Sequence, residues 1–331
     1  MQKKVCCFGE FLFRMSPSSG SFNDHSMPFF IGGAELNVAN ALAKWELPVK
    51  YVTSLPKNSL SDFSVHVISQ LGIDTSSISF HGNKIGIYYL PVGSELKNAG
   101  VIYDRADSSF SVLKPGQLDW TAILKDCDWF HFSAISPALN KNVADVCLEG
   151  INAAKKMGLQ VSVDLNYRSK LWQYGIEPPI IMTALLENCD VIMGNIWSVE
   201  SLLGIPSGIE SSQGKTDAAL LSAAQESIKQ LKKLYPAAST IAYTFRLDNR
   251  YWSVLNHHNQ EYTSKQYPID KVVDKVGTGD CFMAGIIFGL YSQLGPTKMI
   301  EFSTVAAVGK HAEAGDHTSQ SKNDVYSKIL P

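Results

Sequence analysis

At 331 residues and 45% hydrophobic side chains, the chain can bury a sizeable core, as one large α/β domain or two smaller ones. Its 29 lysines and arginines nearly balance 31 acidic residues, for a formal charge of −2, which argues against nucleic acid or a membrane surface as partner. No apolar run reaches the roughly 18 charge-free residues of a membrane span, and MQKKVCCFGE at the start lacks the pattern of a secretory signal, so a cytoplasmic protein is expected. The six cysteines show no CxxC pair or zinc-type spacing and are expected to be buried thiols.

In chain order, VCCFGEFLF reads as a strand, Asn37 to Leu47 (NVANALAKWEL) as a helix, and KYVTSLP as the next strand. SDFSVHVISQLGI reads as a helix ending near Gly72. WFHFSA (129–134), LQVSVDLN (159–166), CDVIMGN (189–195) and STIAYTF (239–245) follow as strands rich in β-branched and aromatic residues. Helical stretches such as KNVADVCLEGINAAKKMG and AALLSAAQESIKQLKKLYP lie between them, a rhythm that predicts a mostly parallel sheet covered on both faces. Two regions, 12–31 and about 83–113, alternate with period two and carry Gly, Pro and Ser turns. They are expected to form a small separate sheet, a lid over a site at the strand ends.

Near the C-terminus, KVVDKVGTGDCFMAGIIFGLY (271–291) sets two glycines before an aspartate and a long apolar helix. Gly277 and Gly279 leave the amides of 277–280 free to converge on an oxygen-rich ligand at a helix N-terminus, where the macrodipole favours anions. Asp280 then either caps the helix or takes a proton from a substrate hydroxyl while the amides steady a phosphoryl group. The glycines alone do not choose. No GxxxxGK[ST] and no GxGxxG occurs, so the common nucleotide fingerprints are absent.

GGAELNVANALAKW (32–45) again pairs glycines at a helix start, beside Glu35 and Asn37. With DKVGTGD it resembles the two signature regions of the ribokinase-like (PfkB) carbohydrate kinases, over nearly the whole chain. The resemblance implies an α/β fold with a three-layer αβα core, a mostly parallel sheet and a small β lid, in a single domain spanning 1–331. It also implies ATP and Mg2+, with Asp280 as base and the amides of Gly277, Thr278 and Gly279 as anion hole.

DLNYRSKLW (164–172) closes a strand with an arginine, and IYDRADS (102–108) sets Tyr103 and Arg105 on one face of a lid strand. Two arginines in one pocket suit a carboxylate. These segments resemble the 2-keto-3-deoxygluconate kinases, which would place Gly33, Asn37, Tyr89, Tyr103, Arg105 and Arg168 on a sugar acid, with Asn166 between sugar and nucleotide. Alternatives stand beside these roles: a solvated lid charge for Arg105, a core aromatic for Tyr89, a structural ion pair for Arg168.

By the same resemblance Asn195, Thr244, Arg246, Gly277, Gly279, Gly315 and Asp316 would face the nucleotide. Two segments depart from the family pattern. MGNIWSVESLLG offers Ser198 where Asn-x-x-Glu is common, so Glu200 is left as the candidate magnesium ligand. AYTFRLDNRYW replaces a glycine-containing turn, and Arg246 is either a phosphate contact or a hairpin residue. Other PfkB kinases of fructose or nucleosides, and a sugar-acid sensor without turnover, are the rival readings. The exposed edge of the lid predicts a homodimer or higher assembly.

Overall fold

The computed structural model describes residues 2–17, 26–91, 100–247 and 249–330. Strands β1 (Lys4–Phe8), β2 (Leu12–Met15) and β3 (Phe29–Gly32) precede helix α1 (Ala34–Lys44). Strands β4 (Val49–Val52) and β5 (Ser54–Leu55), helix α2 (Ser59–Gln70), and strands β6 (Ser79–Phe80), β7 (Gly86–Tyr89) and β8 (Ile102–Asp104) come next. Alternation then takes over: α3 (Trp120–Leu124), β9 (Cys127–Ser133), α4 (Lys141–Lys156), β10 (Gln160–Asp164), α5 (Pro178–Leu186), β11 (Val191–Gly194), α6 (Ile196–Leu203), α7 (Asp217–Leu234). The chain continues with β12 (Thr240–Arg246), β13 (Arg250–His257), β14 (Gln260–Thr263), β15 (Tyr267–Pro268), α8 (Thr278–Tyr291), α9 (Pro296–Lys310) and α10 (Lys322–Tyr326).

The main sheet runs β14-β13-β12-β11-β10-β9-β1-β4, with β15 also on β13. From β4 to β12 every pairing is parallel, and β13, β14 and β15 add antiparallel pairings at one side. Parallel pairing buries both faces, which is why β1 is apolar from Val5 to Phe8 and its neighbouring side chains point opposite ways. Cys6 and Phe8 enter a core built with α3 to α7, while Val5 and Cys7 enter the core under α1, α8 and α9. All six cysteines are buried and unpaired. Helix starts follow their caps: Asn58 accepts from Ser61 N before α2, and Asn140 from Val143 N before α4. Among the described residues no helix is long and apolar enough to cross a membrane.

A second sheet, β3-β2-β7-β8, stands apart from the first. The lid regions expected at 12–31 and 83–113 supply these strands; 18–25 and 92–99 lie outside the described residues. Leu12 and Tyr88 on this sheet, with Leu90 and Val101 flanking its strands, pack with Val276, directly before the GTGD turn. β2 is also pinned electrostatically: the buried Arg14 donates to Asp274 at 2.6 Å, lies 2.9 Å from Asp316, and stacks over Phe30. The lid therefore rests on the segment that leads into α8, at the edge where the parallel strands end.

Candidate active site

The carboxyl ends of β10, β11 and β12 and the N-terminus of α8 surround a cleft of about 600 Å³. A smaller cavity of about 50 Å³ adjoins it under the lid. Tyr103, Asn166, Arg168, Val276 and Asp280 line both, so they mark the boundary between the two compartments.

Gly277 starts α8 in a left-handed conformation (φ 79), and no side chain caps the helix. The first bond along this turn is Cys281 N to Gly277 O at 2.8 Å, so the preceding first-turn amides have no helical acceptor and open on the cleft. Asp280 does not satisfy them. Its Oδ2 instead accepts from Asn37 Nδ2 at 2.7 Å, which decides against the capping role. The side chain is almost wholly buried, and burial pushes its pKa up to about 7. The Asn37 hydrogen bond and the Arg168 charge oppose the rise, while Glu35 and Asp316 add to it.

On the lid side, Gly33 begins α1 with φ 132, and a Cβ there would lie 2.2 Å from the Glu10 carbonyl. Only glycine lets this turn close against β1's end. Asn37, one turn later, keeps its Oδ1 buried with no partner in the cavity, an open acceptor for a ligand hydroxyl. Tyr103 and Arg105 do face one cavity. The Arg105 fork, however, is engaged by Glu10 through Nε at 2.8 Å and through Nη2, and Ser108 Oγ donates to the other Glu10 oxygen at 2.5 Å. The cavity, of about 50 Å³, has room for waters and is continuous at its lining residues with the larger cleft.

Tyr89 lines neither cavity. On β7 neighbouring side chains alternate, and Tyr88 turns inward, with its hydroxyl donating to Asp316 Oδ2 at 2.6 Å. Asp316, expected to face the nucleotide, is buried against Arg14 and Tyr88 and lines the lid-side cavity, not the larger cleft. Gly315 lines neither cavity; its backbone N donates to Asp274 and its carbonyl accepts from Lys310.

On the larger cleft, Thr244, Arg246, Gly277, Thr278 and Gly279 are present as expected. Asn195 lines it too, but its Oδ1 is committed to the Trp197 and Ser198 amides in a capping box that Ser198 completes. Glu200 is one turn beyond, exposed, and accepts from Ser207 at 2.6 Å, outside the cleft. The capping box sets where α6 begins. Lys170, Lys275 and Asp164 also line the cleft and carried no distinct sequence signal. With Arg168 and Arg246 they make four cations against two carboxylates, a balance suited to a polyphosphate. Among the described residues no cluster of three carboxylate, His or Cys side chains could enclose a metal. Magnesium keeps phosphates and water as most of its ligands, and the carboxylates that line this cleft are Asp164 and Asp280.

An uncapped helix start facing a cationic cleft, with a polar compartment under a β lid beside it, is the arrangement of a carbohydrate kinase, which moves a phosphoryl group to an alcohol. The chain belongs to the pfkB family of carbohydrate kinases, matching the family over residues 2–322. It is 33% identical to 2-dehydro-3-deoxygluconokinase from Thermotoga maritima, whose crystal structure aligns with a TM-score of 0.89 over 99% of this chain and 98% of that one. It is 26% identical over 328 residues to 2-dehydro-3-deoxygalactonokinase from Haloferax volcanii, covering 96% of this chain and 93% of the relative. Fructokinase from Xylella fastidiosa, solved with bound ATP, shares the fold at 19% identity and a TM-score of 0.77, over 99% of this chain and 98% of that one.

Proposed function

We propose that this kinase transfers the γ-phosphoryl group of ATP to the primary hydroxyl of a 2-keto-3-deoxy sugar acid, foremost 2-keto-3-deoxygluconate, giving its 6-phosphate. The observation that carries the proposal is Asp280, a buried carboxyl of pKa about 7 at the boundary of the two cavities and beside open helix amides. The names of the Thermotoga and Haloferax relatives support the keto-deoxy acid, as do the arginines on the lid-side cavity.

Arg168 and Arg105 bind the acid's carboxylate, the latter after exchanging Glu10 for the ligand. Asn37 and Asp316 accept sugar hydroxyls. Asp280 takes the proton of the primary hydroxyl as its oxygen bonds to the γ-phosphorus and the bond to ADP breaks. The amides of Gly277, Thr278 and Gly279 hold the charge on the phosphoryl oxygens. Arg246, Lys275 and Lys170 face the remaining phosphates across the cleft. Bound magnesium neutralises phosphate charge, with Asp164 the side chain to hold it. Two copies associate through the lid edges β3 and β8, where Phe29 and Ile102 are exposed; light scattering at micromolar concentration tests this, and a strict monomer refutes it.

The deciding assay follows ADP release with ATP and magnesium on 2-keto-3-deoxygluconate, 2-keto-3-deoxygalactonate, fructose and ribose, alongside Asp280→Asn. Turnover confined to the keto-deoxy acids and lost in the variant supports the proposal. Preference for fructose or ribose overturns the assignment of the arginines.

A further inference from the structure

Lys310 is a buried cation that the steps above leave unused. It ends α9 with its side chain fully out of solvent. Its ammonium donates to the carbonyl oxygens of Gly315 at 2.8 Å and Glu313 at 3.1 Å. The loop it holds continues into Asp316, whose carboxyl lines the lid-side cavity. The backbone of Asp316 meets the GTGD turn: a Cβ on Gly277 would lie 2.1 Å from the Asp316 carbonyl oxygen and 3.3 Å from Lys310 Cε.

The facing segment is bound to the same loop. Val273 N donates to His311 O at 2.7 Å, and Asp274 accepts from Gly315 N at 3.2 Å and Val276 N at 3.1 Å. Two buried carboxylates, Asp274 and Asp316, are thus balanced by two buried cations, Arg14 and Lys310. Burial draws the Lys310 pKa down, and Asp274, Glu313 and Asp316 draw it back. An ammonium costs several kcal/mol to bury, and an apolar side chain of equal length would fill the same space more cheaply. The charge is spent on geometry: it fixes two carbonyls that otherwise point into the core without donors.

We propose that Lys310 is a positioning residue for phosphoryl transfer. Its ammonium holds the 313–316 loop against Gly277, so that the amides facing the phosphoryl group and the Asp316 carboxyl facing the sugar keep one fixed spacing. The proposal rests on the assignment of the GTGD amides to the transferring group.

The test uses Lys310→Met, which keeps the stem without the charge, and Lys310→Ala, which leaves space for a small amine. Steady-state kinetics are measured per folded molecule, with methylammonium chloride added and sodium chloride as the control. Both variants are expected to lose about 10- to 100-fold in kcat while KM for ATP moves less than about threefold, because the misplaced amides act on the transition state. Methylammonium, and not sodium, is expected to restore part of the loss in Lys310→Ala only. An unchanged kcat, a loss that no amine restores, or failure of both variants to fold overturns the proposal and leaves Lys310 as a stabilising residue. The kinetics are read on whichever sugar the unaltered enzyme turns over. Inactivity on sugar acids therefore removes the substrate assignment alone, and unaffected Lys310 variants of an active enzyme remove this one alone.

Discussion

Asn37 Nδ2 donates to Asp280 Oδ2 at 2.7 Å, joining two glycine-led helix starts that lie 243 positions apart in the chain. The bond favours the ionised carboxylate, so it opposes the burial that pushes Asp280 up to about 7. It also aims the carboxylate at the compartment boundary rather than at the amides of its own helix.

A base of that pKa makes turnover pH-dependent near neutrality. The rate is expected to climb as pH rises through about 7, where Asp280 loses its proton. Asn37→Ala removes a hydrogen bond that lowers the pKa, so the acidic limb of kcat/KM should move to higher pH. Asp280→Asn should cost about 10²- to 10⁴-fold in kcat. A limb that stays in place in Asn37→Ala would sink the assignment of that limb to Asp280.

The same shift predicts a stability effect of opposite sense. A carboxyl whose folded pKa lies near 7 against an ordinary 3.8 binds its proton more tightly in the folded state. Its contribution is present below about pH 4 and is lost as pH rises toward 7. Asp280→Asn carries no charge at any pH, so at pH 8 it should be more stable than the unaltered protein by about 1–3 kcal/mol, several degrees in Tm. At pH 4 the difference should vanish. Thermal melts at the two pH values decide it, and equal Tm values at pH 8 would contradict the buried charge.

Adjacent tyrosines on β7 provide a test of register. Tyr88 donates to the buried Asp316 at 2.6 Å, whereas Tyr89 lines neither cavity. Tyr88→Phe leaves that carboxylate short of a donor, and KM for the sugar should rise roughly 10-fold with about 1–3 kcal/mol of lost stability. Tyr89→Phe should leave KM and Tm close to their original values. The reverse pattern would place the other face of β7 toward the substrate.

That pair also shows what the sequence could and could not carry. Period-two alternation announces a lid strand in IYYLP but does not say which face is inward, since both faces offer a tyrosine. The parallel core was legible because β1, β9 and β11 send apolar residues to both faces and helical runs separate most of the strands. GTGD and GGAELN were legible because paired glycines before a helix are a local signal. Arg14 and Glu10 were not, because each acts through a partner far along the chain, Arg14 through Asp274 and Glu10 through Arg105; Lys310 bonds only the nearby 313–316 loop, and a lysine at a helix end carries no local sign that it is buried. Glu200 lies outside the cleft while Trp197, Ser198 and Ser201 of α6 line it, a facing that depends on how α6 packs and that the sequence does not state.

The two glycines of GTGD should separate folding from ligand binding. At Gly277 the positive φ and the Asp316 carbonyl, 2.1 Å from a built Cβ, leave no place for a side chain. Gly277→Ala is expected to destabilise the protein by about 1–3 kcal/mol. At Gly279 a Cβ would meet nothing within 4 Å, so no protein atom requires glycine. Gly279 lies in the first turn of α8 and lines the cleft, and alanine there gains helix propensity while its methyl group stands where the phosphates must approach. Gly279→Ala should therefore keep or slightly raise Tm, yet raise KM for ATP and lower kcat, together roughly 10- to 100-fold in kcat/KM. If Gly279→Ala turned over ATP normally, the phosphoryl group would not be held at the start of α8. A loss of Tm equal to that of Gly277→Ala would mean that the second glycine serves the fold and not the ligand.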